Sequence, residues 1–312
     1  MVFEWERQGM RIAVAGIGGV GGYIGAHLCA LDDEVIFIAR GDHAAAIREK
    51  GLLVKEDEGS FTAHPDAVIS GEELEGDIDL LLLCVKSYDI ESALAELSGN
   101  ITPSTIIIPF ANGVEHKEKI ASLVEAQVLH GAVYILAHKE ADGVIVKKGK
   151  VFAAVFGSRE YPAETASVAA LFEKAGLRHK TPENIEEALW RKYLFISAFA
   201  ALTTYFDTSM RKVYALHHNW AHTLLKEIAD IAEAKDIHIQ DEVEKALRVA
   251  SALPEEASSS MHLDYRHGRF GRRRDRWSQR RTARSRRFGF LRRFSFFRRF
   301  SFFRRFSFFR RF

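Results

Sequence analysis

Over residues 10–157, short apolar runs alternate with stretches of helical periodicity. The runs that read as strands are 11–15 (RIAVA), 34–39 (EVIFIA), 79–85 (DLLLLCV), 105–109 (TIIIP), 128–133 and 151–156. Strands separated by helical stretches predict a mostly parallel sheet covered by helices. From about Glu183 the apolar positions recur at the helical period, and strand signals fade. The pattern predicts helices over 185–202, 217–235 and 241–252. Thr181-Pro182-Glu183-Asn184 reads as a hinge and a helix start, with Asn184 as its cap. Pro254 to Ser260 reads as a break followed by another cap. The predicted class is therefore α/β: a parallel α/β domain over 10–182, then an all-helical domain over 183–269. The default place for a substrate in such a plan is the cleft between the two.

The junction of the first strand and first helix carries the first chemical signal. Gly16-Ile17-Gly18-Gly19-Val20-Gly21 is a complete G-x-G-x-x-G, set between the strand 11–15 and the helix-like run Gly22–Ala30. Gly16 allows a tight turn, Gly18 lets the backbone approach a pyrophosphate, and Gly21 lets the helix pack closely on the sheet. That context makes a Rossmann-type dinucleotide site of a motif that is weak alone. The alternative is a Gly-rich turn without a ligand. The second strand ends in Ala39 and Arg40, where an NAD site would place an acid on the ribose 2′-hydroxyl. A cation there suits a 2′-phosphate, so the expected cofactor is NADP(H). The alternative for Arg40 is a solvated side chain.

Composition adds limits. The chain has 312 residues, is 47% hydrophobic, and has two cysteines, Cys29 and Cys84. Both read as buried thiols, which argues against a disulfide scaffold and for a reducing, cytoplasmic setting. Residues 1–9 have no apolar stretch suited to a signal peptide, and Met10 reads as a natural start. No run reaches the roughly 18 apolar residues of a membrane span. His217, His218 and His222 include an i, i+4 pair, but no third ligand accompanies them, so no metal is expected.

The net charge of +2 conceals two opposed parts. Residues 266–312 hold 19 Arg, no Lys and a single acid, Asp275, while the rest of the chain carries a net charge of −16. The acidic body has no general basic face for nucleic acid. The sequence RRFSFF occupies 292–297 and repeats at 298–303 and 304–309, with a partial copy at 310–312. A basic aromatic repeat could stack on bases or lie on an anionic membrane. Arginine without any lysine points instead to a G+C-rich gene read in the wrong frame. Residues 270–312 are thus expected to be a frameshifted or disordered low-complexity tail.

With these motifs in place, the chain resembles the ketopantoate reductase family (2-dehydropantoate 2-reductases) from about Met10 to Gly268. Gly16–Gly22 (GIGGVGG) is similar to the family's opening motif, and its 2′-phosphate arginine falls on Arg40. A strand-end lysine falls on Lys86 in Cys84-Val85-Lys86-Ser87, an Asn-Gly pair on Asn112-Gly113, and a further cofactor contact near Ala137. The family's W-x-K pattern falls on Trp190-Arg191-Lys192, and the serine of its S-S-M segment on Ser260. The resemblance implies reduction of 2-dehydropantoate to pantoate, with hydride from NADPH and the proton from Lys192. Lys192, Asn112 and Ser260 would contact a small 2-oxo acid substrate. A homodimer, with no nucleic-acid or membrane partner, is the expected assembly.

Three positions depart from the family. Ile196 and Ala200 stand where its best-known members carry asparagines, which leaves room for another branched 2-oxo acid or a non-catalytic nucleotide binder. Arg272 stands where a cofactor-directed glutamate would fall. A helical domain ending near Gly268 would leave Leu224, Ile228, Ile231 and Leu247 partly exposed.

Overall fold

The computed structural model describes residues 9–268. The chain divides into two compact units, Met1–Leu189 and Trp190–Phe312. The tail expectations and Arg272 lie outside the described residues.

The first unit is built on a six-stranded parallel sheet. Its strands are β1 (Arg11–Ala15), β2 (Glu34–Ile38), β5 (Ala67–Ile69), β6 (Leu80–Leu83), β7 (Ile106–Pro109) and β8 (Gln127–Val128), in the order β5-β2-β1-β6-β7-β8. β6 and β7 are buried at every position, which is why they read as unbroken apolar runs. Alternate side chains serve two cores. Ile12, Val14, Leu80, Leu82, Ile106 and Ile108 pack on one side, with Ile24 and Leu28 of α1 (Gly19–Leu28) and Ile47 of α2 (Gly41–Lys50). Ala13, Leu81, Leu83 and Ile107 face the other, with Leu94 and Leu97 of α3 (Ile90–Leu97) and Ile120 of α4 (His116–Ala121).

A second sheet departs from the sequence expectation. β3 (Leu52–Glu56), β4 (Gly59–Ala63), β10 (Val144–Gly157) and β11 (His179–Lys180) run in the order β11-β10-β3-β4, and β9 (His130–Ala141) pairs with β10 as an antiparallel hairpin. The run 151–156 therefore belongs to this sheet, and 128–133 divides between β8 and β9. Both hairpin strands continue through exposed polar stretches, such as Lys139-Glu140 and Lys148–Lys150, that carry no apolar signal. A helix, α5 (Pro162–Lys174), follows the hairpin.

The helix α6 (Ile185–Phe206) spans the division, which falls after Leu189. Asn184 caps it, accepting from the Glu187 backbone N–H at 3.3 Å and donating to the Glu187 carboxylate at 3.1 Å. The helices α7 (Met210–Leu216), α8 (His218–Glu233), α9 (Glu242–Ala252) and α10 (Ser260–Arg266) complete the second unit among the described residues. The helix expected over 217–235 is α8, and a separate helix, α7, precedes it; His217 between them stacks its ring on Phe206 with centroids 3.6 Å apart.

Leu224, Ile228 and Leu247 are buried, and Ile231 is half-buried, so the expected exposure does not hold for the first three. Ala221, Leu224, Leu225, Ile228 and Ala232 form one stripe on α8, and Val243, Ala246, Leu247 and Ala250 form another on α9. The two helices pack together and both meet α7, so the stripes have partners within the unit. Ser259 caps α10, accepting from His262 N–H at 3.1 Å, and its hydroxyl lies 2.8 Å from that of Thr203 on α6.

Leu247→Ala should therefore cost about 2–5 kcal/mol, since it empties a packed site that is 2% exposed. Leu263→Ala, at a position 46% exposed, should cost under about 1 kcal/mol. Urea unfolding of the two variants measures the difference.

Candidate cofactor and substrate site

The glycine loop follows directly from β1. Gly16 has φ +96°, and a Cβ there would lie 2.7 Å from the Val85 nitrogen. The cause is the parallel pairing of β1 with β6, continued by the Cys84 N–H bond to the Ala15 carbonyl at 2.8 Å. Gly21 is equally constrained, because a Cβ would strike the Gly16 carbonyl oxygen. Gly18 differs: it precedes α1, and a Cβ there would meet nothing within 4 Å. The amides of Gly19, Val20 and Gly21 fall in the first turn of α1, where N–H groups lack intrahelical acceptors and favour an anion. Open space beside Gly18 and donors in that turn fit the pyrophosphate of a dinucleotide. Ile17 is buried in the core beneath, with Val20 packed against it. Ala137 of β9 lies alongside, its carbonyl where a Gly19 Cβ would sit.

Arg40, Lys86 and Asn112 follow the C-terminal ends of β2, β6 and β7; β2 and β6 flank β1, and β7 lies beyond β6. β1 is where the chain order reverses, because β2 lies to one side and β6 to the other. Open α/β sheets bind ligands at that point. Arg40 precedes the first turn of α2, and its side chain is 53% exposed. It is ion-paired with Glu96 of α3, so it is not simply solvated. Sequence inspection missed Glu96, because 56 residues separate the pair. Lys86 is exposed, and its carbonyl accepts from Asp89 N–H at 2.8 Å. Asn112 is exposed in the turn after β7, and its carbonyl lies 3.1 Å from His116 Nε2. Burial pushes the His116 imidazole below its usual value.

In the second unit, Trp190 is buried and Arg191 reaches the start of α9, at 3.0 Å from Asp241 and 2.6 Å from Glu242. Lys192 beside them is half-buried, and burial pushes its ammonium down to about 8. Ile196 and Ala200 follow one and two turns along α6, both half-buried. Ser260 is exposed as the first residue of α10, and the cap expected at the end of the 254–260 stretch is Ser259. Cys29 and Cys84 are free thiols, half-buried rather than fully buried, and burial pushes both up to about 12. Among the described residues, no group of three His, Cys, Asp or Glu side chains could hold a metal ion. Nor is any described helix long and apolar enough to cross a membrane.

This loop, on the C-terminal edge of a parallel sheet and followed in the chain by a helical unit, defines an oxidoreductase that uses a nicotinamide dinucleotide. The chain belongs to the ketopantoate reductase PanE/ApbA family, whose N-terminal model matches residues 12–160 and whose C-terminal model matches residues 184–270. It is 30% identical over 267 residues to the uncharacterized oxidoreductase YkpB of Bacillus subtilis, covering 83% of this chain and 87% of that protein. It is 26% identical over 264 residues to the 2-dehydropantoate 2-reductase of Halobacterium salinarum, with coverages of 83% and 87%. Among solved structures, the 2-dehydropantoate 2-reductase of Porphyromonas gingivalis W83 superposes with a TM-score of 0.74 at 34% identity, covering 79% of this chain and 90% of that one.

The glycines give a paired expectation. Gly21→Ala should cost about 1–3 kcal/mol of stability, because its methyl has nowhere to go. Gly18→Ala should leave the melting temperature nearly unchanged and weaken dinucleotide binding, because its methyl points into the open space. Thermal unfolding and calorimetric titration with NADPH separate the two.

Proposed function

We propose that the protein reduces 2-dehydropantoate to pantoate with NADPH, using Lys192 as the proton donor. Lys192 is the observation that carries this: an ammonium held half out of water in the family's W-x-K pattern. NADPH supplies the hydride. Lys192 gives its proton to the carbonyl oxygen as negative charge develops there. Ser260, exposed at the start of α10, can donate to the substrate carboxylate, and Asn112 offers a carboxamide to the substrate at the sheet edge. Gly16–Gly21, Lys86 and Ala137 line the dinucleotide. Arg40 takes the 2′-phosphate in exchange for Glu96, which fits NADP(H). The two free thiols support a reducing, cytoplasmic setting, and the same reading includes a homodimer. The test is NADPH oxidation with 2-dehydropantoate, run beside a panel of other branched 2-oxo acids.

A second substrate is favoured by one observation. Ile196 and Ala200 place apolar groups where the family's best-known members carry asparagines, so a more apolar 2-oxo acid would fit better. A higher kcat/KM on such an acid than on 2-dehydropantoate would select it. We assign residues 270–312 to a change of reading frame, on the strength of arginine without lysine in a hexapeptide repeat. The coding DNA, read in all three frames past codon 269, tests this directly.

Arg40→Ala should narrow the preference for NADPH over NADH by removing a charge-assisted contact worth about 1.5–3 kcal/mol. Glu96→Gln should tighten NADPH binding while leaving NADH nearly unchanged, because Arg40 no longer has to exchange one anion for another. Equal dissociation constants for the two nucleotides in the unmodified protein would rule out both.

Lys192→Ala should lower turnover by about 10²–10⁴-fold and leave NADPH binding intact. The sign of the pH dependence follows from the depressed value. Lys192 is protonated below about 8 and loses its proton above it. The kcat/KM for reduction should therefore be flat on the acid side and fall as pH rises through about 8. A profile that stays level through that range would remove Lys192 as the donor.

A further inference from the structure

One histidine outside these assignments joins three parts of the first unit. His43 lies in the first turn of α2, and its side chain is only 11% exposed. Its Nδ1 is 2.9 Å from the backbone nitrogen of Gly143, at the turn of the β9–β10 hairpin. Its Nε2 is 2.7 Å from the carbonyl oxygen of Ile17, inside the glycine loop. The two contacts fix the tautomer. A backbone N–H can only donate, so Nδ1 must be the bare nitrogen. Nε2 then carries the hydrogen and donates to Ile17.

The Ile17 carbonyl and the Gly18 N–H belong to the same peptide plane. The Gly18 N–H donates to the Gly16 carbonyl at 2.9 Å, so this plane is held at both ends. Rotation of the plane would turn a carbonyl oxygen toward the open space beside Gly18, where the phosphates belong. An oxygen dipole facing an anion opposes its binding, whereas the first-turn amides of α1 favour it. The hairpin end of the contact is also built in. Gly143 has φ +71°, its carbonyl accepts from Leu53 N–H at 2.9 Å, and a Cβ on it would lie 3.1 Å from the Cβ of Ala46.

We propose that His43 is a positioning residue for the dinucleotide, holding the Ile17–Gly18 peptide in the orientation that admits the pyrophosphate. The proposal rests on the assignment of Gly16–Gly21 as the NADPH loop. The imidazole must be neutral to do this, since a proton on Nδ1 would face the Gly143 N–H. Charged groups bear on the ring from two sides. The hairpin contributes Lys139, which opposes a second positive charge, and Asp142, 3.9 Å from Nδ1, which favours one. Those two pair with each other at 2.8 Å. Asp42 precedes His43 on α2, and the glycine loop brings no charged side chain. Burial is the largest influence and pushes the imidazole below its usual value. The contacts are thus complete at neutral pH and are lost as pH falls through that lowered value.

The test is the NADPH dissociation constant of the full chain, followed calorimetrically from about pH 8 to about pH 5, for the wild type and three variants. His43→Leu removes both bonds and should raise the constant about tenfold at neutral pH, with kcat at saturating NADPH changed less than about threefold. The carboxamide nitrogen of His43→Gln reaches the Nε2 position and keeps the bond to Ile17. This variant should stay within about twofold of wild type at neutral pH. His43→Asn keeps only the acceptor toward Gly143 and should resemble the leucine variant. The ratio of wild-type to glutamine-variant constants should rise toward low pH, because only the histidine becomes charged. Titration of the nucleotide cancels in that ratio.

If His43→Leu does not fold, the glutamine and asparagine variants decide. Equal affinity in those two, or a ratio independent of pH, would overturn the proposal. A lowered melting temperature with unchanged affinity in the leucine variant would make His43 structural only, which also overturns it. A wild type that binds NADPH normally in any of these cases leaves the cofactor assignment standing. A wild type that binds no nicotinamide nucleotide removes that assignment and this proposal together.

Discussion

The first unit depends on how closely its backbones approach one another around Gly16. β1 and β6 run side by side, and the chain leaving β6 passes so near the turn that no side chain fits at Gly16. The Gly16 carbonyl in turn leaves no room for a side chain at Gly21. The helix α1 is therefore set by main-chain contact, with its first turn directed along the exit of β1. Backbone contact of this kind is short and has few soft degrees of freedom, so the position of the donors is fixed more firmly than side chains could fix it. Gly18 is spared the same crowding, and the space in front of it remains for a ligand.

Around that fixed point Arg40, Lys86 and Asn112 are supplied by loops, each following a strand of the same sheet. Their separation follows from strand spacing, with neighbours about 4.8 Å apart. Chemistry is then adjusted by contacts that cross the sheet order. Arg40, beyond β2, is met by Glu96 from α3. An exposed arginine of this kind gains little stability from its partner, since surface ion pairs contribute about 0–1 kcal/mol. What the pair changes is the local charge: the guanidinium faces a carboxylate rather than water alone.

The sequence carried these features unevenly. Strands buried on both faces, such as Leu80–Leu83 and Ile106–Pro109, leave an unbroken apolar run, so the parallel sheet and its glycine loop were legible. The hairpin β9–β10 was not, because much of it is solvent-facing and its pairing is a property of two segments at once. Glu96 was invisible for a related reason: its importance comes from a partner 56 residues away. The helical unit was misjudged in the opposite direction. The stripes on α8 and α9 were visible as apolar positions, but nothing along the chain says that they cover one another. Roles assigned to Lys86, Asn112 and Ser260 came from motif resemblance, and periodicity alone could not have separated them from ordinary exposed residues.

Arg191 and Lys192 show how neighbouring cations can be given different work. Successive residues of a helix point about 100° apart, so the two side chains leave α6 in different directions. Arg191 sets its Nη1 against both Asp241 and Glu242 at the start of α9, which pairs its charge and ties α6 to α9. A guanidinium suits that anchoring role because it stays charged and bonds several acceptors at once. Lys192 is turned into a drier setting, where loss of hydration lowers its affinity for a proton toward about 8. An arginine at 192 could not be adjusted in this way, because a guanidinium keeps its charge. The order Arg-Lys, set one residue into the second unit, therefore places the fixed charge where it orients the helix and the adjustable one in the drier setting.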